Sequence, residues 1–177
     1  LYDMPVSNNG ARCRLIIYEK GLSPESDVII KSPMDLGGLK SKEYLELSPQ
    51  GKMPLLVCED GAIPESDTIS RWLLDKFSAQ KPSFVPSASA ARVKSDLICR
   101  FHDMYITTIQ SAMYRAAPPF GQFSSRRDAL QELARQLQTI NGYVDDEGPY
   151  ITGKEISLAD AAVFPTMVFV MHMMPKF

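Results

Sequence analysis

The most informative segment of this chain is residues 44–72, YLELSPQGKMPLLVCEDGAIPESDTISRW. An apolar strand is predicted after Pro54, and a turn at Asp60-Gly61 leads into a short return strand over 62–64. A helix is predicted to start at Ser66. This order places the extended backbone of Met53-Pro54 beside the amide-rich start of a helix. Because extended backbone pairs with a peptide and a helix start binds an acid group, the stretch predicts a site for a small peptide that carries carboxylates.

Upstream of this stretch, the pattern alternates between strands and helices. An extended run is predicted over 1–6, a helix over 10–20 that ends at Gly21, and a short β-branched strand over 27–31. Residues 33–39 are loop-like, and a helical turn is predicted over 42–47. Strand, helix, strand, loop, hairpin and helix in this order are typical of an α/β thioredoxin-like domain, which we assign to residues 1–78.

Downstream, the composition changes to Ser, Pro and Ala, which predicts a linker over 79–88. Residues 89–177 are expected to form an all-α domain. A long helix is predicted over 92–114, a second over 128–144, and a last, strongly apolar helix from Ser157. The first of them carries apolar residues at near-helical spacing, namely Val93, Leu97, Phe101, Met104, Ile109 and Met113.

Composition excludes several classes of function. The chain has 177 residues, a formal net charge of −2 and no basic block, so nucleic acid and anionic membranes are not expected partners. Three separated cysteines and two histidines predict no disulfide framework and no metal site, as in a reduced, cytoplasmic protein. The apolar run 161–174 is interrupted by Pro165 and His172, which favours a buried helix over a membrane span. Because the sequence starts at Leu1, we expect an incomplete start, and a plastid location stays open.

The order and spacing of these segments resemble the cytosolic glutathione transferase superfamily, in its serine type, over nearly the whole chain. Members of this superfamily join a thioredoxin-like domain to an all-helical one. They usually carry further helices after a segment such as ISLADAAVFP, residues 156–165 here, so an incomplete C-terminus is expected. The resemblance also implies a homodimer, a capping box between Ser157 and Asp160, and glutathione as co-substrate without a metal.

The resemblance assigns the glutathione-binding residues. It implies a cis peptide bond before Pro54, with the N–H and C=O of Met53 pairing with the cysteinyl part of glutathione. Glu65 and Ser66 would bind the γ-glutamyl head, with Asp67 as an alternative to Glu65 for its ammonium group. Lys40 and Lys52 are candidates for the glycine carboxylate. From the residues alone, Pro54 also fits a plain strand start, Ser66 a helix cap, and each lysine a solvated side chain.

The catalytic assignment falls on Ser7. Counting back from Glu19-Lys20-Gly21 places Ser7 where serine-type members have an activating hydroxyl, which would donate a hydrogen bond to the glutathione sulfur. Asn8 and Asn9 would support the thiolate through their N–H groups, and either could be the sulfur ligand instead. Asn8 departs from the family pattern, in which proline is common at this position. Helix capping alone is the competing interpretation of Ser7.

For the helical domain, the resemblance implies an electrophile site near Phe101, Tyr105, Tyr114 and Arg115, with Phe120 as a further liner. Ordinary helix packing competes for each of them. His102 is predicted to be solvated, and Cys13 and Cys58 to be packing residues.

The implied function is transfer of glutathione to small electrophiles, or reduction of organic peroxides by the same thiolate. The alternatives are a thiol transferase or dehydroascorbate reductase-like enzyme, which normally needs Cys at position 7, and a non-catalytic binding protein of the same fold.

Overall fold

A computed structural model describes residues 1–176 of the chain. The chain divides into two compact units, Leu1–Phe84 and Val85–Phe177. The predicted linker, 79–88, spans this division. Each unit has a core of its own and is described separately below.

The first unit is built from a hairpin and three helices. Its elements are α1 (Asn8–Glu19), a 3₁₀ turn (Pro33–Leu36), α2 (Lys42–Leu47), β1 (Leu55–Cys58), β2 (Gly61–Pro64) and α3 (Ser66–Lys76). Strands β1 and β2 are antiparallel, with Leu55 opposite Pro64 and Cys58 opposite Gly61. Gly61 has φ +105°, a conformation that side-chain-bearing residues rarely adopt, so glycine suits this turn. The predicted hairpin and the predicted helices over 10–20 and from Ser66 are confirmed.

The two other predicted strands are reduced to single bridges. Tyr2 pairs with Lys31 in parallel and with Leu55 in antiparallel orientation. The run over 27–31 cannot form a longer ladder because three of its N–H groups are used locally. Those of Asp27 and Val28 bond to the Ser23 carbonyl, and that of Ile30 bonds to the Pro24 carbonyl.

The core of this unit lies between the sheet and the helices. Ile16 and Ile17 on α1, Leu55 on β1, and Ile69 and Leu73 on α3 are all fully buried. Burial of each such side chain contributes about 1.5–3 kcal/mol. Helices α1 and α3 pack against one another, and this packing brings their N-terminal halves together.

The second unit is all-helical. It contains α4 (Ser89–Phe101), a π-helical turn (His102–Ile106), a 3₁₀ turn (Gln110–Met113), α5 (Arg126–Asn141), α6 (Leu158–Met173) and a terminal 3₁₀ turn (Met174–Lys176). The predicted helix over 128–144 is confirmed as α5, two residues earlier at its start.

The single long helix predicted over 92–114 is wrong. The backbone changes after His102, whose carbonyl accepts from the Thr107 N–H as in a π-helix. The hydroxyl groups of Thr107 and Thr108 bond back to carbonyls four residues earlier, which competes with regular helix bonding. The buried face of α4 also differs from the face that the apolar spacing predicts. Ile98 and Cys99 are buried, whereas Val93 and Leu97 are exposed.

Helix α6 begins with the predicted capping box. The Asp160 carboxylate accepts from the N–H of Ser157 and from the N–H of Ile151, each at 2.8 Å. By length and composition alone, the segment Leu158–Lys176 could span a membrane, yet half of its apolar window is buried inside the protein, as in a core helix. Such a segment is weak evidence for a membrane span.

Candidate functional site

One end of the small sheet gathers the predicted site segments. Because Leu55 pairs with Pro64, the residues just outside the hairpin, Pro54 and Glu65, lie side by side. Tyr2 pairs with Leu55 on the other side through two backbone hydrogen bonds of 2.7 and 3.0 Å. Since that pairing is antiparallel, the chain leaving Tyr2 toward Ser7 runs along Met53 and Pro54. Residues 3–7, the Met53–Pro54 bend and the start of α3 therefore meet at one edge.

The Met53–Pro54 segment has the predicted conformation. Its peptide bond is cis. Within the described residues, neither the N–H nor the C=O of Met53 takes part in a hydrogen bond. The preceding residue is anchored, because the buried Tyr44 hydroxyl donates to the Lys52 carbonyl at 2.8 Å. An unpaired backbone edge on a fixed segment can receive an added extended peptide.

The start of α3 differs in one respect from the prediction. Glu65, rather than Ser66, is the N-cap, and its side chain makes no capping bond, so the interpretation of Ser66 as a hydroxyl cap is wrong. Ser66 is the first helical residue and is buried. The first N–H groups of the helix have no carbonyl to bond, and this open end attracts an anion.

Glu65 has an unusual backbone. Its φ is +72° and its ψ is +119°, a region that non-glycine residues seldom occupy and that tends to occur at ligand sites. Its side chain is exposed. Asp67, the alternative partner for an ammonium group, is already engaged by Arg12 at 2.5 Å and by Arg71 at 2.8 Å. The free carboxylate at this corner is thus that of Glu65.

Ser7 sits at the N-cap of α1, half-buried. Its Oγ accepts from the Gly10 N–H at 3.0 Å. A serine oxygen has two lone pairs and one O–H, so this cap leaves the hydroxyl proton free to donate elsewhere. The N–H groups of Asn8 and Asn9 lie in the first turn, where no helix carbonyl is available to them. The capping and catalytic interpretations are therefore compatible, and the structure favours neither asparagine over Ser7.

The two candidate lysines differ in their surroundings. The Lys40 Nζ donates to the Gln50 carbonyl at 3.3 Å, which holds it against the loop. Lys52 is exposed and adjoins Met53, and its ammonium group has no partner in the part of the chain that the structure describes. Of the two, Lys52 is the one free to bind a carboxylate at the Met53 edge.

A sulfur atom and an ion pair hold the two helix starts together. The Cys13 thiol lies 3.8 Å from the Asn9 carbonyl and 3.7 Å from the Ser66 carbonyl. Burial raises the pKa of Cys13 to about 12, so this thiol is a packing group, as predicted. Arg12, 1% exposed, reaches from α1 to the Asp67 carboxylate.

The four candidate electrophile residues fall into two groups. The rings of Phe101 and Tyr105 are 4.9 Å apart, whereas Tyr114 packs edge-on against Phe169 at 6.1 Å. Arg115 donates to the Pro119 carbonyl at 2.9 Å. Tyr105 and Tyr114 are largely exposed and can contact a small molecule.

Two sequence-based interpretations of this unit are wrong. Phe120 is 3% exposed and packs within a small core cluster with Ala112 and Ala129, so it cannot line an open site. His102 is not solvated, since it is 2% exposed and its ring nitrogens lie 2.9 Å from the Asp103 carboxylate and 2.8 Å from the Thr166 hydroxyl.

Other features of the chain lie away from this edge. A cavity of about 380 Å³ lies toward the turn end of the hairpin, among residues such as Leu1, Val57, Trp72 and Phe77, and includes none of the candidate glutathione contacts. Within residues 1–176, no three His, Cys, Asp or Glu side chains are gathered as metal ligands.

Two residues near Ser7 were missed by sequence reasoning, Asp3 and Arg14. The Asp3 carboxylate is buried, and Arg14 pairs with it. The sequence signal was weak. Asp3 is an acidic residue in a predicted extended, largely apolar run, and Arg14 is a basic residue in the helix that follows.

Comparison with known proteins finds glutathione transferases among the similar proteins. Residues 1–82 match the family described as Glutathione S-transferase, N-terminal domain. Glutathione S-transferase 3 of Zea mays is 28% identical over 94% of this chain and 77% of its own length. Glutathione S-transferase DHAR3, chloroplastic, of Arabidopsis thaliana is also 28% identical, over 72% of this chain but only 43% of its own length.

The fold agrees with solved structures. A glutathione transferase homologue from Drosophila mojavensis, solved with bound glutathione, superposes with a TM-score of 0.76 at 19% identity, over 99% of this chain and 78% of that chain. These matches support the glutathione transferase superfamily for this chain. The predicted fold class, an α/β thioredoxin-like domain followed by an all-α domain, is confirmed.

Proposed function

We propose that the chain is a serine-type glutathione transferase that presents the thiolate of glutathione to small electrophiles or organic peroxides. One observation carries the proposal. The Ser7 hydroxyl, the unpaired backbone of Met53 and the open start of α3 lie at the same end of one sheet, in a chain that is similar to glutathione transferases.

Glutathione binding uses three parts of that edge. The cysteinyl main chain pairs with the N–H and C=O of Met53, as an added strand would. The γ-glutamyl carboxylate lies against the N–H groups at the start of α3, beside Ser66, and the exposed Glu65 carboxylate faces the ammonium group. Lys52 binds the glycine carboxylate, with Lys40 at the rim of the same loop.

Ser7 supplies the electrostatic step. Its free O–H donates to the sulfur, and the N–H groups of Asn8 and Asn9 add positive potential at the helix start. Hydrogen bonds to the anion favour it, so the pKa of the bound thiol falls below the value of about 8.5 of a free thiol. Each pH unit of that shift corresponds to about 1.4 kcal/mol.

The reaction then follows from the thiolate. In conjugation, the sulfur electron pair forms a carbon–sulfur bond, and the leaving group departs with its own electron pair. With an organic peroxide, the sulfur attacks one oxygen, which breaks the O–O bond and releases an alcohol. A second glutathione reduces the resulting sulfenic acid and gives glutathione disulfide and water.

Further parts of the proposal concern the helical unit and the assembly. The exposed rings of Tyr105 and Tyr114, with Phe101 and Arg115 nearby in sequence, are proposed contacts for a small electrophile. A homodimer is the proposed assembly, and the cytoplasm, or a plastid, the proposed location.

A dehydroascorbate reductase-like activity is the second candidate, because several relatives are DHAR-type glutathione S-transferases by name. Such thiol exchange needs a protein thiolate at the site, and position 7 is serine. The thiol at the helix junction, Cys13, is fully buried with its pKa raised to about 12. The chain therefore fits glutathione transfer better than thiol exchange.

The proposal is tested with Ser7→Ala. We expect kcat with an aryl halide to fall about a hundredfold, the cost of losing one hydrogen-bond donor to a developing or stable anion. Glutathione affinity, measured by calorimetry, should change little, because the main-chain contacts remain.

Ser125→Ala is the matched control. Ser125 caps α5 through the Asp128 N–H at 3.3 Å, so this variant loses a similar helix cap away from the site. Its kcat should equal that of the parent protein. If Ser7→Ala keeps full turnover, Ser7 is not the activating residue. If the parent binds glutathione but turns over no electrophile, the binding-protein alternative is favoured.

A further inference from the structure

We propose that Arg14 is a positioning residue for Ser7, and that its pairing with the buried Asp3 carboxylate keeps the thiolate site free of an uncompensated negative charge. The inference rests on the proposed function, since it concerns the same site. It adds two residues, Asp3 and Arg14, that contact no part of glutathione in the arrangement described above.

Arg14 holds the loop that presents Ser7. Its Nη1 donates to the Met4 carbonyl at 3.1 Å, and its Nη2 donates to the Pro5 carbonyl at 3.1 Å. The Ser7 carbonyl lies 3.5 Å from Nη2. One planar guanidinium therefore reaches carbonyls along the whole loop, residues 4–7, which only the fork of an arginine can do.

The loop has little else to fix it. Pro5 has no N–H, and Val6 is 79% exposed. The bond from the Ser7 N–H to the Met4 carbonyl, at 3.0 Å, is the backbone bond inside the loop. Without the guanidinium, the loop would be held mainly by its two ends.

Asp3 connects the ion pair to the Ser7 hydroxyl. Its carboxylate is completely buried and pairs with Arg14, and neither oxygen has another hydrogen-bond partner in the described chain. It also lies directly against Gly10, where an added Cβ would clash with the Asp3 carboxylate. The Gly10 N–H is the donor that holds Ser7 Oγ. The carboxylate thus packs against the residue that orients the hydroxyl.

The charge of this pair matters for the thiolate. A lone carboxylate buried beside the start of α1 would repel an anion bound there and raise its pKa. Arg14 offsets that charge and is 16% exposed, so solvent screens it little. A residue that only stabilised the fold would leave the pH profile of the reaction unchanged. A shift in that profile therefore distinguishes a positioning residue from a purely structural one.

The test compares Arg14→Gln, Arg14→Lys and the double variant Asp3→Asn/Arg14→Gln. Two quantities are measured for each folded variant. One is the midpoint of the pH profile of kcat/KM for the electrophile at saturating glutathione, which reports the pKa of the bound thiol. The other is the hydrogen-exchange rate, without ligand, of the Ser7, Gly10 and Ala11 amides, whose hydrogen bonds belong to this loop and cap.

The expected results separate charge from clamping. Arg14→Gln raises the midpoint by about one pH unit and speeds exchange about tenfold. The double variant returns the midpoint toward that of the parent, because the carboxylate charge is gone, while exchange stays fast. Arg14→Lys keeps the midpoint, because an ammonium group retains the positive charge. It does not keep the slow exchange, because the ammonium group cannot reproduce the hydrogen bonds of the planar guanidinium to the loop carbonyls. Arg127→Gln, at an exposed arginine, is the matched control and should change neither.

The inference is overturned if Arg14→Gln keeps either the midpoint or the slow exchange of the parent protein, or if the double variant keeps the raised midpoint. If Arg14→Gln does not fold, the exchange rate of Arg14→Lys is the test. Slow exchange in that variant would contradict the proposal that the Arg14 guanidinium holds residues 4–7. Fast exchange in the Arg14 variants, combined with no glutathione turnover by the parent, supports the clamp and overturns the proposed function instead.

Discussion

Among single residues, the Ser7 hydroxyl has one observed and one proposed role, and the two use different parts of the group. Its oxygen accepts from the Gly10 N–H and so caps α1, and its O–H is the proposed donor to the glutathione sulfur. The free backbone of Met53 and the free carboxylate of Glu65 are similar cases, since each lacks a partner within its own unit. The proposed site thus consists of hydrogen-bonding and charged groups that the fold itself leaves without a partner.

The thiols of the chain give a residue-level prediction. Cys13 and Cys99 are buried, and burial raises the pKa of Cys13 to about 12, whereas Cys58 is half-buried at the end of β1. An alkylating reagent at neutral pH should therefore modify Cys58 alone in the native protein and all three in denaturant. Peptide mass spectrometry reads the result, and Cys58→Ser should leave the native protein unlabelled. Labelling of Cys13 as fast as Cys58 would contradict this assignment.

At the scale of elements, the site depends on how α1 and α3 join. Arg12 is buried on α1, and its charge is met by Asp67 on α3, which also binds Arg71. The two partners are not equivalent. Removal of Asp67 takes an ion-pair partner from a guanidinium that is 1% exposed, whereas removal of Arg12 leaves a carboxylate that is one-third exposed and still paired with Arg71.

This asymmetry predicts different losses of stability. Asp67→Ala should lower the free energy of unfolding by about 3 kcal/mol, and Arg12→Met by about half as much, because the methionine chain fills part of the buried volume. Urea denaturation followed by circular dichroism measures both values. Lys42→Met, at an exposed residue of α2, is the control and should change stability little. Equal losses for the Arg12 and Asp67 variants would show that this ion pair does not act as described.

The element scale also shows what sequence reasoning could and could not supply. The hairpin and the starts of α1 and α3 were predictable because turn residues, proline and capping residues act locally. The long helix over 92–114 was not, since Thr107 and Thr108 redirect the backbone only in the context of the fold. The buried face of α4 was not predictable either. Ile98 and Cys99 pack inward instead of Val93 and Leu97, because the elements that pack against a helix determine which of its faces is buried.

The candidate site was predictable in the same uneven way. Met53, Pro54 and Glu65 were assigned from the resemblance of their segment to the glutathione transferase superfamily, and the hairpin register places Pro54 beside Glu65. The pairing of Asp3 with Arg14 was not, since it joins an extended segment to a helix through a buried contact that no local pattern records.

At the scale of the whole molecule, an apolar surface on the helical unit agrees with the proposed dimer. Val93 is 66% exposed and Leu97 45% exposed, one turn apart on α4, and Met104 is exposed further along. Apolar side chains gathered in this way on a surface often mark an interface. Each unit carries its own core, so the loss of such an interface need not unfold either unit.

The dimer prediction is direct. Light scattering of the purified protein should give twice the chain mass of 19.7 kDa. The double change Val93→Asp/Leu97→Asp should give the single mass, because two charges cannot be buried in an apolar contact. Val144→Asp, at a partly exposed residue of the same unit, should leave the mass doubled. A parent protein of single mass would contradict the proposal.

A crystal structure with bound glutathione would show whether the tripeptide lies at this edge of the small sheet with its sulfur at Ser7. We predict that the cysteinyl main chain pairs with Met53, the γ-glutamyl carboxylate lies at the start of α3, and the sulfur lies within hydrogen-bonding distance of Ser7 Oγ. A sulfur bound by Asn8 or Asn9, or glutathione bound away from Met53, would contradict the account.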